Sequence, residues 1–307
     1  MSFSQDVKEE LCSSINDRDK EYGCLYGMLL FCQDFGADRI TFRTENPLVA
    51  QMFTTLCERV TSAHISSSQL SRRGRALYSM DIPEEGDREE IIYRFRVSSR
   101  SLIHRIQREN LTNNNIFAFL AGAFLSCGSV EEPLKQYHLE FAVPYEALCG
   151  DLKDLIADLG ISAKQIERTG QYILYFKSSE SIEDILTMMG ASRASVELMN
   201  VKILKDVRNK ANRIANCDTA NIERTLKASR KQIEDIQYIM DHDGYDDLSE
   251  ELKNMALVRL ENPDISLKEL GEMLDKPVGR SGANHRLRRL SEIAELMRSG
   301  SGNDTQT

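Results

Sequence analysis

The stretch FLAGAFLSCGSV, residues 119–130, contains no charged side chain, and its two glycines, Gly122 and Gly128, lie either side of Cys127. The uncharged run extends back to Ile116, which makes it too short for the roughly 20 residues that span a bilayer. A helix apolar on every side is one that a protein core surrounds. An earlier stretch, EYGCLYGMLLFC at 21–32, has the same character. Gly27 falls on Gly122 at an offset of 95, and after a four-residue insertion Phe42 falls on Phe141, Leu56 on Leu155 and Val60 on Leu159. The order of elements agrees with that overlay, and the first 190 residues read as a duplicated unit.

Working outward, RITFRT (39–44) reads as a strand with Ile40 and Phe42 on one face, and PLVAQMFTTLCERV (47–60) as a helix with Pro47 in its first turn. Leu48, Met52 and Leu56 form the expected inward stripe of that helix. RALYSMDI (75–82) and IIYRFRV (91–97) are predicted strands, the latter from the alternation of Ile91, Tyr93, Phe95 and Val97. In the second half YHLEFAV (137–143) is a strand, YEALCGDLKDLIADLG (145–160) a helix closed by Gly160, QYILYFKS (171–178) a strand and SIEDILTMMG (181–190) a short helix. MSFSQDVKEELC, at the start, places Phe3, Val7 and Leu11 at helical intervals, which reads as an amphipathic helix and not as a secretory leader.

Seven cysteines are scattered without a C-x-x-C pair, and five histidines include no H-x-x-x-H pair. Reduced, buried thiols in a cytoplasmic protein are expected, with no zinc site and no cofactor. Neither a phosphate-binding P-loop nor a G-x-G-x-x-G fingerprint is present. The net charge of −9 argues against nucleic-acid binding as a whole-chain property, but its distribution is uneven. Ten Lys/Arg face four acids between Arg193 and Lys231, and strand patterns vanish there.

The helix NVKILKDVRNKANRIANC (200–217) can turn Val201, Leu204 and Ala211 inward. Its polar side, with Lys202, Lys205, Arg208, Asn209, Asn212 and Arg213, is either a second DNA-contacting surface or a connector between domains. The Arg-rich segment at 94–108, with Arg94, Arg96, Arg100, Arg105 and Arg108, reads as a solvated face, with contact to DNA backbone or an acidic partner as the alternative.

Near the C-terminus three short helices follow one another. The first is capped by Ser249, with Leu252, Met255 and Ala256 inward. The second opens on a Ser266/Glu269 capping box, with the stripe Leu267, Leu270, Leu274. The third begins near Ser281 with Ala283, Leu287, Leu290 and Ala294 inward. This spacing predicts a helix-turn-helix with SLKELGEML as the supporting helix and SGANHRLRRL as the recognition helix. Between Lys276 and Leu290 there are five basic residues and no acid. The candidate DNA-binding residues are Lys276, Arg280, Ser281, Asn284, His285, Arg286, Arg288 and Arg289. Asn reads adenine, Arg reads guanine, and a helix N-terminus holds phosphate.

RLENPDISLKELGEMLDKPVGRSGANHRLRRLSEIAE, NVKILKDVRNKANRIANCDTANIERT, FLAGAFLSCGSV and MSFSQDVKEEL together resemble the WhiA family of bacterial transcription regulators, over nearly the whole chain. The resemblance implies an α+β N-terminal domain, a duplicated αββαββ unit like that of LAGLIDADG homing endonucleases, followed by an all-α helix-turn-helix domain. It also implies links to sporulation and cell division control.

In the endonucleases an acid at the eighth motif position holds the catalytic metal. Here that position is Cys127 in one half and Cys32 in the other, so the resemblance implies a scaffold without the chemistry. Gly27 and Gly122 then become close-packing residues between two helices. The expected domains are 1–190, a basic helical connector at 191–240, the helix-turn-helix at 241–298 and a disordered tail at 299–307. Double-stranded DNA is the expected partner, a second transcription factor or RNA polymerase is compatible, and a membrane is not expected. The expected location is the cytoplasm, at the nucleoid. The competing readings are a ligand-sensing adaptor tethered to DNA and a residual homing-type endonuclease.

Overall fold

A computed structural model describes residues 2–72, 74–97 and 104–300. They divide into two units, which meet in sequence between Asp206 and Val207.

The first unit opens with helix α1 (Phe3–Ser14), whose Phe3, Val7 and Leu11 are buried. The first repeat is α2 (Arg18–Leu30), β1 (Asp34–Phe35), β2 (Ile40–Thr44), α3 (Pro47–Thr61), β3 (Ser66–Arg72), β4 (Arg75–Asp81) and α4 (Glu85–Arg94). The second is α5 (Ile116–Cys127), β5 (Gly128–Val130), β6 (Leu139–Val143), α6 (Glu146–Asp158), β7 (Lys164–Arg168), β8 (Gln171–Phe176) and α7 (Ser179–Met189). Each repeat builds a four-stranded antiparallel sheet, in the orders β1-β2-β4-β3 and β5-β6-β8-β7. Phe42 lies opposite Met80 in one sheet and Phe141 opposite Leu174 in the other. The four-residue insertion is the β5–β6 connection, residues 131–138, which replaces the shorter 36–39 of the first half.

Local chemistry sets the helix starts. Asp17 accepts from the Lys20 amide at 2.9 Å to open α2, and Asn46 accepts from Leu48 and Val49 to open α3, with Pro47 at its first position. Gly190, at φ +100°, closes α7. The centre of the unit is the crossing of α2 and α5, where backbone touches backbone. A Cβ on Gly122 would lie 2.0 Å from the Cys24 carbonyl oxygen, and one on Gly27 2.2 Å from that of Phe119. Gly23 makes a third such contact, 2.6 Å from the Asn115 oxygen. Around this crossing Tyr26 stacks on Phe95, with ring centres 5.3 Å apart, and Phe42 stacks on Phe53 at 4.5 Å.

Three expectations change. IIYRFRV is not a strand: residues 91–94 complete α4, which ends at Phe95. Ile91 and Phe95 lie one helical turn apart and both are buried, whereas Tyr93, inward in the strand reading, is 85% exposed. In α3 the buried face is Val49, Ala50, Phe53, Leu56 and Cys57, so the stripe is rotated and Leu48 is exposed. The strands β3 and β7 (SSSQLSR and KQIER) had no hydrophobic alternation to mark them, because each is a mostly exposed edge strand. In the Arg-rich segment, Arg94, Arg105 and Arg108 pair with Glu90, Asp151 and Asp158, while Arg100 lies outside the described residues.

Helix α8 (Ser192–Asp241) runs from the first unit into the second. Its start is held by the buried Glu10 of α1, whose carboxylate accepts from the Arg193 and Ala194 amides at 2.7 and 3.1 Å. Leu204 and Ala211 are exposed on it, not inward as expected, because among the described residues no element covers 203–204 or 206–219 to a buried level.

In the second unit Ile236 and Ile239 of α8 join α9 (Glu250–Glu261), α10 (Leu267–Glu272) and α11 (Arg280–Gly300) around a small core. Ser299 and Gly300 close α11, and the tail from 301 lies outside the described residues.

Candidate nucleic-acid interface

The second unit's core is small, and a few contacts set its geometry. Ser266 accepts from the Glu269 amide at 3.3 Å while the Glu269 carboxylate accepts from the Ser266 amide at 3.0 Å, which starts α10. That amide and the Ser266 hydroxyl hold the Glu269 carboxyl below the ordinary carboxylate range. α10 ends in a tight return: the Val278 amide donates to the Gly271 carbonyl at 2.9 Å, and a Cβ on Gly271 would lie 2.3 Å from the Val278 oxygen. Only glycine lets the turn close so near to α10. Arg259, 2% exposed, points a guanidinium nitrogen at the Asn262, Pro263 and Ile265 carbonyls at 3.3–3.5 Å, which ties the end of α9 to the start of α10.

On α11 Ala283, Leu287, Leu290 and Ala294 are buried. The helical period then turns Ser281, Asn284, His285 and Arg288 to the opposite side, where all four are exposed. Lys276 in the turn and Arg280 at the helix start are also exposed, and neither makes an ion pair among the described residues. The N-terminus of α11 adds a partial positive charge beside them.

Two features temper this basic character. Glu292 pairs with Arg288 at 3.3 Å and with Arg289 at 3.1 Å along the helix. Arg286 is set apart from the other candidates: it leans onto α9, with its guanidinium 3.1 Å from Glu251 and its side chain only 15% exposed.

The polar side of α8 divides similarly. Lys202 is held by Glu180, and Lys205 donates to the Pro133 carbonyl at 2.7 Å and lies over the Tyr137 ring. Arg208, Asn209, Asn212 and Arg213 are exposed.

In the first unit the eighth motif positions are Cys127, the last residue of α5, and Cys32, two residues past the end of α2. Cys32 is buried and its thiol donates to the Asp34 carbonyl at 3.1 Å. Burial pushes the Cys32 and Cys127 thiols each up to about 12. Neutral thiols are poor ligands for the hard cations that hydrolyse phosphodiesters. Among the described residues no three His, Cys, Asp or Glu side chains converge as a metal site would. Among the same residues no helix is long and apolar enough to cross a membrane.

Sequence reasoning missed Gly23, Gly271, Glu10 and Arg259. The two glycines were in view but had no partner in the sequence, and each charged residue looked like any other polar position on an amphipathic helix.

Residues 116–208 match the model of the WhiA LAGLIDADG-like domain, and residues 211–294 match that of the WhiA C-terminal HTH domain. The chain is 37% identical to a probable cell division protein WhiA of Clostridium tetani, over 96% of this chain and 98% of that protein. It is also 37% identical to one of Thermoanaerobacter pseudethanolicus, over 97% and 98%. The crystal structure of full-length DUF199/WhiA from Thermatoga maritima superposes with a TM-score of 0.59 at 27% identity, covering 96% of this chain and 99% of that one. With both domains present and relatives matched nearly end to end, the chain belongs to the WhiA family.

Proposed function

We propose that this protein is a sequence-specific, double-stranded-DNA-binding transcription regulator that catalyses no reaction. The observation that carries this reading is the face of α11: Ser281, Asn284, His285 and Arg288 stand exposed opposite the buried Ala283, Leu287, Leu290 and Ala294. Asn284 and Arg288 have the chemistry to read bases, and Lys276, Arg280 and Ser281 that to hold phosphates. Arg289 flanks the same face, and Arg286 acts through the fold. Arg208, Asn209, Asn212 and Arg213 are free to form a second DNA-contacting surface on α8.

The first unit serves as a scaffold, because the thiols at positions 32 and 127 offer nothing to a catalytic metal. The relatives are named as probable cell division proteins, which supports cell division as the regulated process; control of sporulation genes and residence at the nucleoid belong to the same reading. The division into 1–190, 191–240 and 241–298 assigns scaffold, basic helix and DNA reader.

The test is genome-wide mapping of sites bound by the full chain and by an Asn284→Ala/Arg288→Ala variant, alongside transcript profiles of both strains. The expected result is one shared motif beneath the wild-type sites, lost in the variant, with altered transcription of adjacent genes. Sites without a common sequence, or transcripts that do not change, would overturn the proposal.

A further inference from the structure

In the first unit, a cavity of about 580 Å³ opens between α1, the C-terminal end of α5, and β2 with the loop that follows it. Its lining is rich in donors. Lys8 of α1 and Arg43 of β2 both face it, and among the described residues neither side chain makes a hydrogen bond or an ion pair. The ammonium of Lys8 lies over the ring of Phe124, 5.8 Å from its centre. The hydroxyls of Ser4 and Thr44 already accept, from the Val130 and Asn46 amides, so each has its O–H left to give. The Ser126 oxygen is buried and has no hydrogen-bond partner among the described residues. Glu45 is the one carboxylate on the lining, and it is exposed.

Buried donors without acceptors are costly to leave unmade. One such donor, the Ser126 hydroxyl, converging with the Ser4 and Thr44 hydroxyls and two cations describes a receptor for an oxyanion. The volume falls within the roughly 300–1,000 Å³ range of small-molecule sites. Burial also lowers the pKa of Lys8, against the opposing pull of neighbours that include the Glu45 carboxylate, the direction expected of a cation whose loss of water outweighs its counter-charges.

We propose that this cavity binds a phosphate-bearing small molecule, with Lys8, Arg43 and the Ser126 hydroxyl as its principal donors. The inference is independent of the DNA-reading face on α11.

The experiment uses the full chain and inorganic phosphate as the probe. Thermal unfolding is followed against phosphate concentration at constant ionic strength in chloride, together with ³¹P line broadening. Wild type and the control Lys164→Met, on the exposed edge of β7, show a saturable rise in melting temperature and broadened phosphate lines. Lys8→Met and Arg43→Gln each weaken the apparent affinity by about tenfold or more, and Ser126→Ala by less. Arg43 is only partly buried, so its variant carries the test if Lys8→Met does not fold.

The absence of a saturable response in wild type overturns the proposal, as does an Arg43→Gln response equal to wild type. A third arm adds a scrambled duplex. If duplex displaces phosphate from wild type, and the Lys8 and Arg43 variants lose duplex affinity in the same proportion, the donors hold the DNA backbone and the small-molecule assignment fails.

Discussion

Replacing Gly122 by Ala separates two effects that usually travel together. In the middle of a helix, Gly→Ala stabilises by about 0.5–1 kcal/mol through backbone entropy alone. At Gly122 the new Cβ would sit 2.0 Å from the Cys24 carbonyl oxygen, where ordinary contact begins near 3.4 Å. The obstacle is helix backbone, not a side chain that can swing away, so α2 and α5 must part by about 1.4 Å; a gap of even 0.5–1 Å already forfeits a quarter to a half of each contact's attraction. Overpacking of this kind costs about 3 kcal/mol, and subtracting the propensity gain leaves a net loss of about 2 kcal/mol. In a unit of roughly 200 residues that is a fall of about 4–8 °C in melting temperature.

The matched control is Gly150→Ala in α6, where nothing lies within 4 Å of the added carbon. There the propensity gain stands unopposed and the melting temperature rises by about 1–4 °C. Urea and thermal unfolding followed by far-UV circular dichroism suit a chain with no tryptophan. If Gly122→Ala stabilises as Gly150→Ala does, the helices do not meet through their backbones at this point and the account of the crossing is wrong.

Further outcomes follow from other parts of the molecule. Arg288→Ala costs about 1–3 kcal/mol on a mapped site and much less on a scrambled duplex, whereas Lys276→Ala weakens both alike and lowers the salt slope by about one; fluorescence anisotropy at several salt concentrations checks this, and equal losses on both duplexes for Arg288→Ala would remove its role in base reading. Glu10→Ala leaves the first amides of α8 without acceptors and destabilises the first unit by about 1–3 kcal/mol, read as a lower urea midpoint. Stability declines as pH rises above 9: an unfolded thiol ionises near its ordinary value of 9.0, while burial keeps the folded Cys32 and Cys127 neutral up to about 12, so the unfolded state alone gains between those values. Denaturation midpoints from pH 8 upward, for wild type and a Cys32→Ser variant, test that sign. Purified protein given Mg²⁺ or Mn²⁺ leaves a bound duplex uncut, and scission abolished by Cys127→Ala would contradict a scaffold role.

The parts of the fold legible in the sequence were those where one physical signal dominates. The uncharged run at 116–127 could only be a buried helix, and Ala283, Leu287, Leu290 and Ala294 keep helical spacing without interruption, so α11 and its outward face could be read residue by residue. IIYRFRV failed because a short run with apolar residues at 91 and 95 satisfies both a two-residue alternation and a helical turn, and the neighbours that decide between them are distant in sequence. For instance, Arg88 in the same helix donates to the Ala37 carbonyl at 2.8 Å, and Asp87 accepts from the His64 amide at 2.8 Å. Within the candidate site, the exposure of Ser281, Asn284, His285 and Arg288 was readable, but the tether of Arg286 to Glu251 was not, because ion pairs across a fold leave no periodic trace. The anchoring of α8 by Glu10 spans more than 180 residues and was equally hidden.

The polar edge strands have a consequence for the protein in concentrated solution. β3 and β7 each end a sheet with one row of amides and carbonyls unpaired by any other described strand, a standing invitation to a strand from another molecule. SSSQLSR answers that invitation with hydroxyls and amides, and KQIER with charge at both ends and beside Ile166, the one large apolar residue on it. The features that hid these strands from a hydrophobic pattern are the ones that keep the sheets from growing by intermolecular addition. Ser67→Val with Gln69→Val on β3 gives a run of high β-propensity on an open edge, and that run is a template for fibrils.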